Sequence, residues 1–136
     1  MLKVTTPLEA ETESLVYRTI GCCIAVHREL GPGLLEVIYQ RAVAYELEAN
    51  RIPFEREKTY PVEYRHRPIY VHRVDLVVAS QVMLELKAVE AFHPVHRAQV
   101  LSCLRVTKLR VALLINFNVA FLPQGLQRIV LSRNVS

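Results

Sequence analysis

Apolar positions in the first third of the chain recur near helical spacing, at Leu15, Ile20, Cys23, Val26 and Leu30, and predict a helix over about residues 12–30. Gly31-Pro32-Gly33 stops it. A second helix is expected over about residues 35–49, with Ile38, Ala42, Tyr45 and Leu47 along it and Asn50 placed to cap its end. The pattern then changes to strands. Phe54 to Tyr64 carries Tyr60, Val62 and Tyr64, and Pro61, which has no N–H, assigns this strand to an edge or a bulge. Arg65-His66-Arg67-Pro68 turns the chain back. His72–Val78 and Val82–Lys87 follow as a hairpin around Ala79-Ser80-Gln81, with the near-continuous hydrophobicity of a sheet covered on both faces. A helix from about Pro94 to Lys108, opened by proline, leads to Val111–Asn116, a short and wholly apolar strand. Strand, crossover helix, strand favours a parallel, right-handed connection. A last strand at about residues 127–131 is expected at an edge. The reading is an α/β fold: a central mixed sheet, an antiparallel three-strand meander plus a parallel crossover strand, flanked by helices.

The hairpin carries the chain's most unusual charges. With Val78 facing Val82, the antiparallel register sets Asp75 opposite Glu85, and Lys87, two residues on, is expected on the same face as both acids. Directly opposed carboxylates destabilise a sheet unless something compensates, and a divalent cation would. Asp, Glu and Lys are rarely buried without partners. The alternative is a surface ion cluster on a solvated face.

At 136 residues and 51% hydrophobic composition, the chain is expected to form one domain, residues 1–136, with a substantial core. No stretch reaches the roughly 20 apolar residues of a membrane span, and Met1 to Pro7 lacks the apolar run of a signal peptide, so the expected location is cytoplasmic. Cys22, Cys23 and Cys103 form no CxxC pair and read as small core residues. All thirteen acidic residues lie at or before Glu90, where eleven Lys and Arg leave a balance of −2; the remainder, with Arg97, Arg105, Lys108, Arg110, Arg128 and Arg133, carries +6. A polyanionic partner and a plain solvated basic face are both compatible with that asymmetry.

An Asp on the second strand of a meander and Glu-x-Lys on the third, in this order of elements, resemble the PD-(D/E)XK nuclease superfamily. Gly33-Leu34-Leu35-Glu36-Val37-Ile38-Tyr39 looks like the GxxExxY signature of one small-protein branch. Val26-His27-Arg28-Glu29-Leu30-Gly31-Pro32-Gly33, Glu85-Leu86-Lys87-Ala88-Val89-Glu90, His96-Arg97-Ala98-Gln99 and Leu113-Leu114-Ile115-Asn116-Phe117 also resemble that branch. The resemblance implies a restriction-endonuclease-like core in which Asp75, Glu85 and the carbonyl of Leu86 hold Mg²⁺ or Mn²⁺ while Lys87 orients or deprotonates the attacking water. It implies a Mg-dependent nuclease acting on DNA or RNA. The alternatives are a non-catalytic nucleic-acid-binding module, or an accessory subunit with a protein partner or a homo-oligomeric state.

Glu36, in the first turn after Gly33, is a metal-site candidate and equally a complement to the helix dipole. Tyr39, one turn on, is placed for packing or for substrate contact. His27 reads as a helix cap or a hydrogen-bonded core histidine. On the later helix His96, Gln99 and Cys103 share a face that can look into the site, and Arg97, Arg105 and Lys108 gather on another. Superfamily members often carry a glutamine with a tyrosine four residues later here; Gln99 matches and Cys103 departs. His93-Pro94-Val95-His96 has loose metal-ligand spacing, better explained by helix initiation. The substrate-binding candidates are Gln99, His96, Arg97 and Tyr39.

Overall fold

Every predicted element forms, in the predicted order. The computed structural model describes residues 2–4, 8–131 and 133–135; Met1 and residues 5–7, part of the N-terminal segment read above, lie outside the described residues. α1 spans Ala10–Leu30 and α2 Glu36–Ala49. Glu11 and Glu13 in the first turn of α1, and His27 and Arg28 in its last, match the helix dipole. The helix ends at Gly31, whose φ of 67° an L side chain rarely adopts and whose N–H donates to the His27 carbonyl at 2.8 Å. Asn50 caps α2, its Nδ2 donating to the Glu46 carbonyl at 2.8 Å.

The central sheet has five strands: β2 (Phe54–Tyr64), β3 (Arg67–Val78), β4 (Val82–Lys87), β5 (Val111–Asn116) and β6 (Leu126–Val130), side by side in that order. β2, β3 and β4 form the antiparallel meander, β4 and β5 pair in parallel, and β6 returns antiparallel to β5. The parallel pair is joined through α3, Pro94–Thr107. Pro61 lies on the edge strand β2, where its missing N–H costs no ladder bond on the open side. Two features escaped the sequence pattern. A 3₁₀ turn at Leu122–Gly125 precedes β6, and β1 (Leu2–Val4) pairs antiparallel with β7 (Arg133–Val135) in a separate ribbon. Three-residue strands are too short to show a period of two.

At the centre of the sheet β4 and β5 are covered on both faces, as their composition demands. Along β5, Val111, Leu113 and Ile115 join the core beneath α1 and α2, while Ala112 and Leu114 join the one beneath α3. Each such Val or Leu, fully buried, is worth about 1.5–3 kcal/mol. Asn116, at the end of β5, secures the chain leaving β4: its Nδ2 donates to the Val89 carbonyl at 2.9 Å and its Oδ1 accepts the Val89 N–H at 3.1 Å. Cys22 and Cys23 are core residues as expected. Among the described residues no helix is long and apolar enough to cross a membrane.

Candidate active site

The β3–β4 hairpin keeps the predicted register, Val78 with Val82, Val77 with Met83 and Leu76 with Leu84. It does so without glycine: Ala79 and Ser80 take φ values of 49° and 58°, the left-handed pattern of a type I′ turn. The strain is met by two bonds, from the Gln81 N–H to the Val78 carbonyl at 2.9 Å and from the Ala79 N–H to the Pro53 carbonyl at 2.7 Å.

One step past Leu76 and Leu84 the ladder stops, at Asp75 and Glu85. β3 leaves β4 there and continues beside β2 alone. The Asp75 carboxylate takes over the Leu86 N–H that the ladder has released. Along β4 the carbonyls alternate sides. The Lys87 carbonyl faces β5, accepting the Phe117 N–H at 2.8 Å, so that of Leu86 faces the gap opened by β3.

Glu85 and Lys87 open onto a cleft of about 520 Å³ between β3 and α3, with His72 and Arg73 on one wall and His96 and Gln99 on the other. Asp75 does not share that wall. It lines a recess of about 490 Å³ on the α2 side, with Glu36, Gln40 and Glu57, and Arg73 borders both spaces. The two acids therefore line neighbouring spaces, which Arg73 borders in common. Strand alternation breaks at Asp75: Leu76 and Val78 pack under α1 and α2, whereas Val74, two residues before Leu76, packs under α3. β2 is irregular at the same level: Glu57, between the Arg56–Leu76 and Lys58–Val74 pairs, takes a φ of 51°.

The charges nevertheless act on one another. Burial first, and the Asp75 carboxylate second, push Glu85 from 4.5 to about 7, with Lys87 pulling down and Glu36 pushing up. Burial pushes Asp75 up, against Lys87 and the Leu86 N–H. Burial also raises Glu36, with Lys87 opposing and Asp75 adding to it. Three carboxyls held above their ordinary range around one lysine are short of positive charge. Among the described residues no three His, Cys, Asp or Glu side chains gather closely enough to hold a metal between them. Glu36 thus stands beside the pair Asp75 and Glu85 without closing with it into a three-carboxylate cage, which narrows the four-ligand expectation. Two carboxylates and a carbonyl remain, a donor set that suits Mg²⁺, which keeps several waters and is commonly held by one or two carboxylates.

The GxxExxY segment has a structural use. Tyr39 is fully buried, stacked on Phe117 with ring centroids 4.5 Å apart. Its hydroxyl donates to the Gly31 carbonyl at 2.6 Å and accepts the Leu34 N–H at 3.1 Å. Gly31 and Tyr39 thereby clamp the loop that delivers Glu36, and the packing alternative holds for Tyr39 over substrate contact. His27 is a core histidine, its Nε2 2.8 Å from the Val119 carbonyl.

On α3, His96, Gln99 and Cys103 all face the cleft, as their spacing predicted. The His93 N–H donates to His96 Nδ1 at 2.9 Å, half of a capping box, so the His93/His96 spacing serves helix initiation and leaves Nε2 of His96 as the donor. Cys103 is not the small core residue expected: its Sγ lies 2.9 Å from His72 Nε2, joining α3 to β3 across the cleft. Burial, then the Glu85 carboxylate, pushes its thiol up to about 11, which keeps it protonated. Arg97 is turned away, its guanidinium 3.5 Å from Gln127 Oε1, and neither Arg105 nor Lys108 lines the cleft. Arg97 lies outside the cleft, beside Phe92 and Gln127, because residues 96 and 97 lie about 100° apart on a helix. Sequence reasoning missed His72 and Arg73. The signal lay in the Tyr60–His72 pairing of the meander, which the register shift between Val62 and Glu63 hides from a count back from the turn.

No curated protein and no solved structure matches the chain. The family comparison is positive: residues 13–129, a span that contains every site residue above, match the PD-(D/E)XK nuclease superfamily, and the chain belongs to that superfamily.

Proposed function

We propose that this chain is a nuclease of the GxxExxY branch, one catalytic domain that hydrolyses phosphodiester bonds of nucleic acid with a divalent cation, Mg²⁺ or Mn²⁺. What supports the reading is that Asp75, Glu85 and Lys87 act on one another's charge at the point where the β3–β4 ladder opens, in a chain of a nuclease superfamily. Asp75, Glu85 and the Leu86 carbonyl would hold the cation, with Glu36 near enough to add a third charge. When bound, such a cation neutralises charge on the phosphoryl oxygens and acidifies water. Lys87, on the cleft side beside Glu85, orients the attacking water or accepts its proton. His96, through Nε2, and Gln99 offer hydrogen bonds to the phosphate from α3, and Arg73 offers charge from β3.

The reading is tested with a panel of labelled single- and double-stranded DNA and RNA in Mg²⁺, with an EDTA control. Cleavage of at least one substrate, abolished by EDTA, is expected. A purified protein that binds the panel and cuts none of it with Mg²⁺ or Mn²⁺ would refute the enzyme reading.

A further inference from the structure

The β2–β3 pair runs on well past the sheet. β4 pairs only with Leu76, Val77 and Val78, whereas β2 and β3 stay paired from Lys58 with Val74 out to Tyr64 with Arg67. The result is a two-stranded arm beside the cleft. Its outer half carries large apolar side chains in the open: Tyr64 is 60% exposed, Ile69 63%, Tyr70 69% and Val71 61%. Exposed strand edges are usually blunted by charge or covered, so bare rings on such an edge call for a partner.

The chemistry of that partner is written in the arm's turn. Arg65, His66 and Arg67 lie together at the tip, with Glu63 as the nearest acid in sequence. The Arg65 guanidinium sits over the Tyr64 ring, 5.4 Å from its centroid. Val62 lines the cleft and pairs with Tyr70, and paired residues share a face, so Tyr70 stands on the cleft side of the arm, outside Val62 and His72. Aromatic faces interleaved with arginines along a groove are what single-stranded nucleic acid needs, the rings for its bases and the guanidinium groups for its phosphates. Bases already stacked within a duplex have no free face to offer.

Resting on the nuclease reading above, we propose that the β2–β3 arm grips unpaired nucleic acid. Bases stack on Tyr70 and Tyr64, Arg65 and Arg67 take neighbouring phosphates, and the strand is led past Val62 and His72 to Glu85 and Lys87. The site would then act on single strands, loops or frayed ends in preference to duplex.

The test is binding in EDTA, where nothing is cut, of a labelled single-stranded oligonucleotide and of the duplex of the same length. Wild type is compared with the variant Tyr64→Ser, Arg65→Ser, Arg67→Ser and Tyr70→Ser combined; all four side chains are exposed, so an unchanged melting temperature is expected. Wild type should bind the single strand more tightly than the duplex. The variant should lose at least about tenfold in single-strand affinity, with a salt slope shallower by roughly one to two for the two lost phosphate contacts. Equal binding by wild type and variant overturns the arm while leaving the nuclease reading in place. A wild-type preference for duplex overturns the single-strand assignment. A variant that loses only self-association in sedimentation makes the arm an interface between copies and overturns the proposal. Wild type that binds neither probe, with or without Mg²⁺, takes down the nuclease reading and the arm together.

Discussion

Glu85 gives the sharpest quantitative handle on the site. Burial and Asp75 hold its carboxyl at about 7 in the folded chain, against 4.5 as its unperturbed value. At about 1.4 kcal/mol per pH unit, ionising it costs the folded state on the order of 3 kcal/mol more than the unfolded one. The sign follows from proton counting. Between pH 4.5 and about 7 the folded chain still holds this proton and the unfolded chain has released it. Stability from this group is therefore complete below pH 4.5 and lost as pH rises to about 7. Asp75 and Glu36, also raised, add in the same direction. Glu85→Gln keeps the shape and removes the titration. Urea unfolding from pH 4 to 8 in EDTA should show wild type losing up to about 3 kcal/mol over this window relative to the variant. Millimolar Mg²⁺ should restore most of the loss in wild type and little in Glu85→Gln, because the ionised carboxylate is what binds the cation. Parallel pH profiles for the two proteins in EDTA would refute the reasoning, since they would mean that Glu85 ionises freely and that the site is not short of positive charge.

Millimolar Mg²⁺ or Mn²⁺ should raise the wild-type melting temperature, and the gain should shrink in Asp75→Asn; an equal gain in both, by thermal denaturation, would place the ion elsewhere. Tyr39→Phe keeps the stack on Phe117 but loses both loop bonds, and urea unfolding should register a cost of about 1–2 kcal/mol. Gly125→Ala would set a methyl 2.2 Å from the Asn116 carbonyl oxygen. Displacing that backbone should cost about 1–3 kcal/mol in the same assay, a penalty that an unaltered unfolding curve would disprove.

The centre of the sheet was legible because β5 is an almost wholly apolar run and β4 is apolar at Val82, Met83, Leu84 and Leu86, while Pro61 marked the edge strand. The register of the hairpin was legible as well, even though its turn uses Ala79 and Ser80 where glycine is usual. The direction of Asp75 was not. Asp75 lines the recess beside α2 at the level where β3 parts from β4 and Glu57 of β2 takes a positive φ, and no strand periodicity announces either feature. Helical spacing brought His96, Gln99 and Cys103 to the cleft correctly, yet only the assembled fold shows that the opposite wall is His72, which pairs with Cys103 from 31 residues away. The exposed arm was hidden for a related reason. A strand's pattern of polar and apolar residues does not say how far its partner strands extend.

The central claim is that Asp75 and Glu85 hold a cation while Lys87 serves the water. Metal binding and cleavage should therefore separate by residue. The decisive measurement reads both in Lys87→Ala and Glu85→Ala: Mg²⁺-induced thermal stabilisation, and turnover of whichever labelled substrate wild type cuts. The account predicts that Lys87→Ala keeps the stabilisation and loses cleavage by at least about a hundredfold, and that Glu85→Ala loses both. Cleavage surviving in both variants, or Mg²⁺ stabilisation surviving in Glu85→Ala, would contradict it.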